Sequence, residues 1–380
     1  MSFDFDRVID RRGGDSTKWN KYAGREVLPL WVADMDFAAP PAVLEALQRR
    51  VAHGVFGYGQ PWPSLVEAVV AHLAGEYAWS IDPEWLVWLP GLVTGLNVAC
   101  RAVPGDVFTA TPIYPPFLAA PALAGKRLAS VPLLRDEEGW LWDWPAAGAV
   151  LRASAARLLL LCHPHNPVGR LWDEDELRQL AALAERYDLI VCSDEIHCGL
   201  VLDPRPHRPF ATLSAQAARR SITLLAPSKT FNVPGLGCAF AVIPEARLRR
   251  DFRTAMNGIV AHVNTLGLVA CEAALRHGGP WRAALIDYLR GNRDRVARAV
   301  AAMPGLSMAP VEATYLAWIE ARDAAMEAPQ RFFEAAGVGL SDGADFGDGE
   351  QYRRFVRLNF GCPRATLDAA LERMARSLQA

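Results

Sequence analysis

Short, nearly continuous apolar runs punctuate the middle of this chain: Leu158-Leu159-Leu160-Leu161-Cys162, Leu189-Ile190-Val191-Cys192, Ile222-Thr223-Leu224-Leu225-Ala226 and residues 238–243. Runs of that length without polar alternation read as strands buried on both faces. Between the first two lies a stretch, residues 173–187, that opens Asp-Glu-Asp-Glu and carries its arginines later, as the helix dipole favours. Strand, helix and strand in succession predict an α/β fold with a mostly parallel central sheet and helices on both faces. Ligands in such sheets bind beyond the carboxyl ends of the strands. An earlier strand-like run, Trp85-Leu86-Val87-Trp88-Leu89, leads into Gly91-Leu92-Val93-Thr94-Gly95, where a helix begins.

The flanks follow other patterns. Residues 1–45 carry little periodicity and read as an arm, passing through Pro29-Leu30-Trp31-Val32-Ala33-Asp34-Met35-Asp36-Phe37 toward a pocket before Pro40-Pro41 opens a short helix. Towards the end come a helical pattern at 282–303, a strand-like run at 314–319, a helix after Pro329, a strand at 355–360 and a closing helix at 366–380. These predict an N-terminal arm (1–45) contributing to a small domain and to the active-site rim, a large domain (46–280) and a small C-terminal α+β domain (281–380). Without repeats or a flexible linker, the domains are expected to share an interface.

Composition narrows the function. At 380 residues, with 51% hydrophobic and 22% charged side chains, the chain has the means for a large core in two domains. A net charge of −2 from 40 basic and 42 acidic residues, intermixed, offers neither a nucleic-acid stripe nor a polybasic membrane patch. Seven cysteines, none in C-x-x-C spacing and most within apolar runs, read as reduced core thiols. The N-terminus lacks the apolar core of a signal peptide, and no apolar stretch approaches the roughly 18 residues of a spanning helix. A cytoplasmic enzyme acting on a small molecule is the expectation.

Two charges stand where chemistry would need them. Ser228-Lys229 follows one apolar run and Asp194 ends another. A lysine delivered by a buried strand is costly to desolvate, and Schiff-base chemistry is the leading reason to place one there. With a buried acid as its companion, the pair suggests pyridoxal phosphate.

Nine segments then occur in one order: Lys18-Trp19-Asn20, Trp31 to Phe37, Phe56-Gly57-Tyr58-Gly59, Thr111-Pro112-Ile113-Tyr114-Pro115-Pro116-Phe117, His163-Pro164-His165-Asn166-Pro167-Val168-Gly169, Ser193-Asp194-Glu195-Ile196-His197, Ser228-Lys229-Thr230-Phe231-Asn232, Ala313 to Trp318, and Val356-Arg357-Leu358-Asn359-Phe360. In these the chain resembles the fold type I, class I/II aminotransferase superfamily, and within it the cystathionine β-lyase-like carbon–sulfur lyases. The resemblance implies a pyridoxal 5'-phosphate cofactor bonded to Lys229, which doubles as the base at the substrate α carbon. It places Asp194 on the pyridine nitrogen, Tyr114 stacked on the ring, Asn166 and His197 near the phenolic oxygen, and Arg357 on the substrate carboxylate. Phosphate would be held by Ser228, by amides of Val93, Thr94 and Gly95, and by Tyr58 sent from a neighbouring subunit, which makes the active unit a homodimer with shared sites. Trp31, Asp34 and Met35 would wall the substrate side chain.

His197 stands where aminotransferases commonly have tyrosine, and Gly237 where many have a phosphate-binding arginine. Both departures favour α,β-elimination from an L-amino acid with a β-sulfur substituent, giving a thiol, pyruvate and ammonia in sulfur amino acid metabolism. The alternative is amino transfer to a 2-keto acid on nearly the same residues. A cofactor-binding DNA regulator on this fold is a more distant alternative, since such regulators carry a DNA-binding domain ahead of it.

Overall fold

Strand β1 (Leu86–Leu89) begins a seven-stranded sheet that continues with β2 (Asp106–Thr111), β3 (Leu128–Pro132), β4 (Ala156–Cys162), β5 (Ile190–Asp194), β6 (Ser221–Leu225) and β7 (Ala239–Val242). This computed structural model describes residues 3–136, 139–322 and 326–379. The spatial order is β1-β7-β6-β5-β4-β2-β3, parallel throughout except for β7, which runs against both its neighbours. Each apolar run is a strand because both faces of the sheet are covered. Leu158 and Leu160 pack on one side with Leu96 and Phe252, whereas Leu159 and Leu161 pack on the other with Phe108, Leu177 and Leu180.

The covering helices and their partners are α1 (Pro41–Ala52), α2 (Pro63–Tyr77), α3 (Leu92–Ala102), α4 (Glu174–Arg186), α5 (Ala246–Met256), α6 (Thr265–His277), α7 (Gly279–Ala302) and α8 (Arg364–Ser377). The acid-first signal at α4 is a capping box: Asp173 accepts from the Glu176 amide at 2.8 Å and Glu176 accepts from the Asp173 amide at 2.9 Å. Helices α3 and α5 lie against one face of the sheet and α4 against the other.

A second sheet, β8 (Leu306–Met308), β9 (Leu316–Ala321), β10 (Ser341–Asp342) and β11 (Phe355–Asn359), is antiparallel in the order β8-β9-β11-β10. Alternation sorts its side chains. Val356 and Leu358 join α7 and α8 in one core, whereas Trp318 and Phe355, stacked 5.1 Å apart, join Phe108 and Trp140 of the large sheet's flank. The second sheet is thereby buried on both faces and locked to the first. Arg357, between Val356 and Leu358, faces the same way as Phe355.

The N-terminal segment adds to this second unit. Leu28–Pro29 pairs in parallel with Val338–Gly339, and Phe5, Leu30, Met35 and Phe37 enter the core that holds Tyr288, Leu358 and Phe360. All seven cysteines are free, and six of them are buried. No helix of the described residues is long and apolar enough to cross a membrane.

Phe108 is fully buried in the cluster that joins the two sheets. Phe108→Ala is expected to lower unfolding stability by about 3–5 kcal/mol. Val8→Ala, at a side chain 59% exposed, should stay within about 0.5 kcal/mol. Urea titration of both variants checks the contrast.

Candidate active site

The parallel register sets three strand ends level. Cys162 is opposite Asp194, and Asp194 is opposite Leu224, with His163 N–H donating to Asp194 O at 2.9 Å and Glu195 N–H to Leu224 O at 2.9 Å. The residues just past those ends therefore converge: Asn166 after β4, Asp194 at the end of β5, Ser228 and Lys229 after β6. They line a cavity of about 260 Å³ together with Tyr114, His197, Val93, Thr94, Gly237 and Arg357. Nine of the residues singled out in the sequence thus share one cavity, with Gly237 beside them.

Burial sets the electrostatics. It lowers the Lys229 amine to about 8, helped by the charge of Arg357 and opposed by Asp34 and Asp194. It raises the Asp194 carboxyl to about 7, against a 3.1 Å hydrogen bond from the Ile196 amide and the charge of Lys229. His197 is held down to about 3 by burial and by the charges of Lys229 and Arg357, so its ring is neutral. Lys229 Nζ donates to Ala33 O at 2.5 Å.

Arg357 carries the largest unmet demand. Its Nη1 donates to Asn166 Oδ1 at 3.0 Å and its Nη2 to Trp31 O at 2.9 Å, while Nε is buried without a partner. No ion pair joins it to a carboxylate among the described residues, and burial lowers it to about 10. Phe346 lies under the guanidinium at 4.9 Å. A buried cation supported only by neutral oxygens and an aromatic face is a receptor for an anion.

Pyridoxal phosphate fits these residues. Burial leaves Asp194 only partly ionised near neutral pH, and a cation against it, such as a protonated ring nitrogen, would favour its charged form. Tyr114 offers its ring. Asn166, whose Oδ1 is taken by Arg357, offers its Nδ2 donor. At the opposite end α3 opens at Leu92, so the amides of its first turn have no helical acceptor.

The expectations for Gly95 and for the arm's side chains need correcting. Gly95 N–H donates to Gly91 O at 3.2 Å, which closes the first helical turn, so the amides available at α3 are those of Leu92, Val93 and Thr94. Asp34 turns its carboxylate to Arg11 at 2.7 Å, Trp31 donates its indole N–H to Lys18 O at 3.1 Å, and Met35 is buried in the core. The arm's contribution to the cavity wall is Val32 and Ala33 instead. Tyr58 is fully exposed and lies outside the chain's own cavity, in a segment with Val55 and Phe56 also exposed. Gly237 has φ +56°, and a Cβ there would meet Pro90 O at 3.3 Å, so a side chain at this position would be strained.

Three contributors went unread as site residues. Tyr315 O–H donates to Ala33 O at 3.0 Å; Asn232 and Asn359 bond to the arm's backbone. Each lies in a motif quoted above, but a hydrogen bond to a distant carbonyl has no local pattern.

The chain matches the family described as aminotransferase class I and II over residues 25–374. It is 36% identical to cystathionine beta-lyase PatB of Bacillus subtilis, over 98% of this chain and 99% of that protein. Among solved structures it is similar to OvoB, at 50% identity and TM-score 0.96 with all of both chains covered. It is also similar to cystalysin from Treponema denticola, which contains a pyridoxal 5'-phosphate cofactor, at 31% identity and TM-score 0.95 over 100% of this chain and 99% of that one.

Asp194 predicts a pH signature. Its carboxyl titrates near 7 when folded and near 3.8 when unfolded, so the cost of ionising it is absent below about pH 4 and complete above about pH 7. In cofactor-free protein, Asp194→Asn should gain stability relative to the parent across that window, on the order of 2–4 kcal/mol. Urea unfolding at stepped pH measures it, and a difference that stays flat with pH contradicts it.

Proposed function

The chain belongs to the aminotransferase class I and II family, and from that premise we propose that it is a pyridoxal-phosphate-dependent carbon–sulfur β-lyase. Its substrates are L-amino acids with sulfur on the β carbon, cleaved to a thiol, pyruvate and ammonia. One observation carries the reading: Arg357, buried without a carboxylate partner among the described residues, lines the same cavity as Lys229 and Asp194. That set matches an amino acid's carboxylate, its α proton and a cationic ring nitrogen. The name of the PatB relative, the departures at His197 and Gly237, and the cofactor of the cystalysin structure support it.

The cofactor, when bound, supplies an electron sink for the pair left on the α carbon. Everything else belongs to the chain. Arg357 grips the substrate carboxylate through a planar fork and so fixes which α bond stands perpendicular to the ring. Lys229, with an amine lowered to about 8, has a larger free-base fraction near neutral pH than an ordinary lysine and takes the α proton onto Nζ. Asp194 would keep the ring nitrogen protonated, Tyr114 would cover the ring face, and Asn166 would offer its Nδ2 donor to the phenolic oxygen. His197, neutral, sits on the same side. Amides of Val93 and Thr94 with the Ser228 hydroxyl would hold the phosphate. As the β carbon–sulfur bond breaks, its electron pair leaves with the thiolate, which the proton on Lys229 can neutralise. Water converts the remaining three-carbon fragment to pyruvate and ammonia.

Among the cavity's lining residues the only cationic side chains are Lys229 and Arg357, and both have other roles in this reading, so the phosphate needs a further donor. We assign the missing ligand to Tyr58 of a second copy, which makes the enzyme a homodimer; the exposure of Val55, Phe56 and Tyr58 supports this. The working location is the cytoplasm. Residues 1–45 form the arm, 46–280 the large domain and 281–380 the small one.

Purified protein should be yellow, and borohydride should fix the cofactor on Lys229. With cystathionine it should release thiol and pyruvate with no keto acid added. Turnover that requires a keto acid and frees no thiol establishes the aminotransferase instead. Arg357→Lys should raise KM at least about tenfold through loss of the bidentate fork. Mixing inactive Tyr58→Ala and Lys229→Ala chains should restore activity, because one site of each mixed dimer has both residues. Failure to restore it excludes a shared site.

A further inference from the structure

The arm Trp31 to Phe37 is held by side chains along its backbone. Trp31 O accepts from Arg357 and Ser341 at 2.9 and 2.7 Å, and Val32 O from Asn359 at 2.7 Å. Ala33 O accepts from Lys229 and Tyr315 at 2.5 and 3.0 Å, and Asp34 O from Lys18 and Asn359 at 3.2 and 2.7 Å. Met35 O and Phe37 O accept from Asn232 at 2.9 and 2.7 Å. Asn232 is three residues from Lys229 and Asn359 two from Arg357. The arm is therefore registered at once to the lysine's loop and to the carboxylate fork's strand.

A closed ionic cluster holds it from behind. Arg11 bridges Asp34 and Asp36 at 2.7 Å each, and Lys18, fully buried, pairs with Asp36 at 2.7 Å. The Trp19 indole also donates to Asp36, at 3.1 Å. Burial opposes ionisation of Asp36, but Lys18 and the hydrogen bonds from Lys18, Trp19 and Arg11 outweigh it and hold the carboxyl below its usual range. Two acids and two bases balance, so the cluster can sit beside the cavity without adding net charge to it.

We propose that this clamp positions the Ala33 carbonyl as the hydrogen-bond acceptor for the Lys229 amine while that amine is free of the cofactor. The inference rests on Lys229 being the proton-moving amine of the proposed reaction. A neutral amine has two N–H bonds and one lone pair. Donating one N–H to Ala33 O restricts the direction of the lone pair that attacks the α proton. Once Lys229 Nζ has taken that proton, the same carbonyl accepts a charge-assisted bond from the ammonium, which makes the amine a stronger base. Ala33 acts through its backbone; Lys18, Asp36 and Asn232 are positioning residues.

Two variants test this at constant net charge. Lys18→Met with Asp36→Asn removes one buried cation and one buried anion together, so neither is left unpaired. Asn232→Gly removes the amide while glycine accepts the φ of +53° found there. Each should retain cofactor, lower kcat about tenfold with KM changed less than about twofold, and move the acid limb of the kcat profile downward. The full chain stripped of cofactor gives an independent readout. The rate at which it recaptures pyridoxal phosphate, followed by visible absorbance, depends on free Lys229, and its midpoint pH should also fall in both variants.

Unchanged midpoints and kcat in both variants overturn the proposal, as does a loss confined to KM. Two variants that both unfold at assay temperature mark the clamp as a folding element only and overturn it equally. The recapture midpoint requires a cofactor-binding lysine but no particular reaction. A shifted midpoint in a protein that releases no thiol therefore refutes the lyase reading and leaves the clamp standing.

Discussion

Desolvation of Lys229, Asp194 and Arg357 is the constraint around which the rest of the molecule is arranged. Asp194 and Arg357 are buried and Lys229 is partly so, and each is displaced toward its neutral form by desolvation. Isolated charges in such a place would be strongly destabilising. The protein offsets part of the cost with neutral dipoles: the Ile196 amide for Asp194, the Ala33 carbonyl for Lys229, the Asn166 and Trp31 oxygens for Arg357. The remainder is an unfilled demand for a cationic ring nitrogen and a carboxylate. The same burial that is unfavourable in the free protein becomes binding and positioning energy once those groups arrive.

Two sheets of different kind meet that demand together. Parallel register brings the ends of β4, β5 and β6 level, which places Asp194 and Lys229 side by side without long loops. An antiparallel strand, β11, supplies Arg357 from the facing unit because its neighbours Val356 and Leu358 are committed to the opposite core. Stacked Trp318 and Phe355 tie that strand to the large sheet's flank, so the fork cannot drift from the lysine. The arm closes the arrangement by hydrogen bonding to both sides.

The legible part of this site lay in short segments with local causes. Apolar runs identified β4, β5, β6 and β7, the acid-first stretch identified α4, and strand-end charges identified Asp194 and Lys229. The illegible part was direction. Trp31 and Asp34 sit in the arm as expected, but indole and carboxylate turn to Lys18 and Arg11, leaving Val32 and Ala33 on the cavity. Gly95 was one residue too far along α3, because an amide is free only until the first i to i−4 bond forms. The antiparallel sense of β7 likewise has no signature in its apolar run, since a strand buried on both faces reads the same in either direction.

Sequence alone determined the alternation of strands and helices, the location of the two strand-end charges and the family pattern, because periodicity and desolvation cost are properties of neighbouring residues. Tertiary structure decided which side chains of the arm face the cavity, that Arg357 has no carboxylate of its own among the described residues, and that the Ala33 carbonyl meets the Lys229 amine. Those facts depend on contacts across some two to three hundred residues of chain, set by sheet register and competing ion pairs. No local rule encodes such competition, because its outcome is fixed only when all the partners are present.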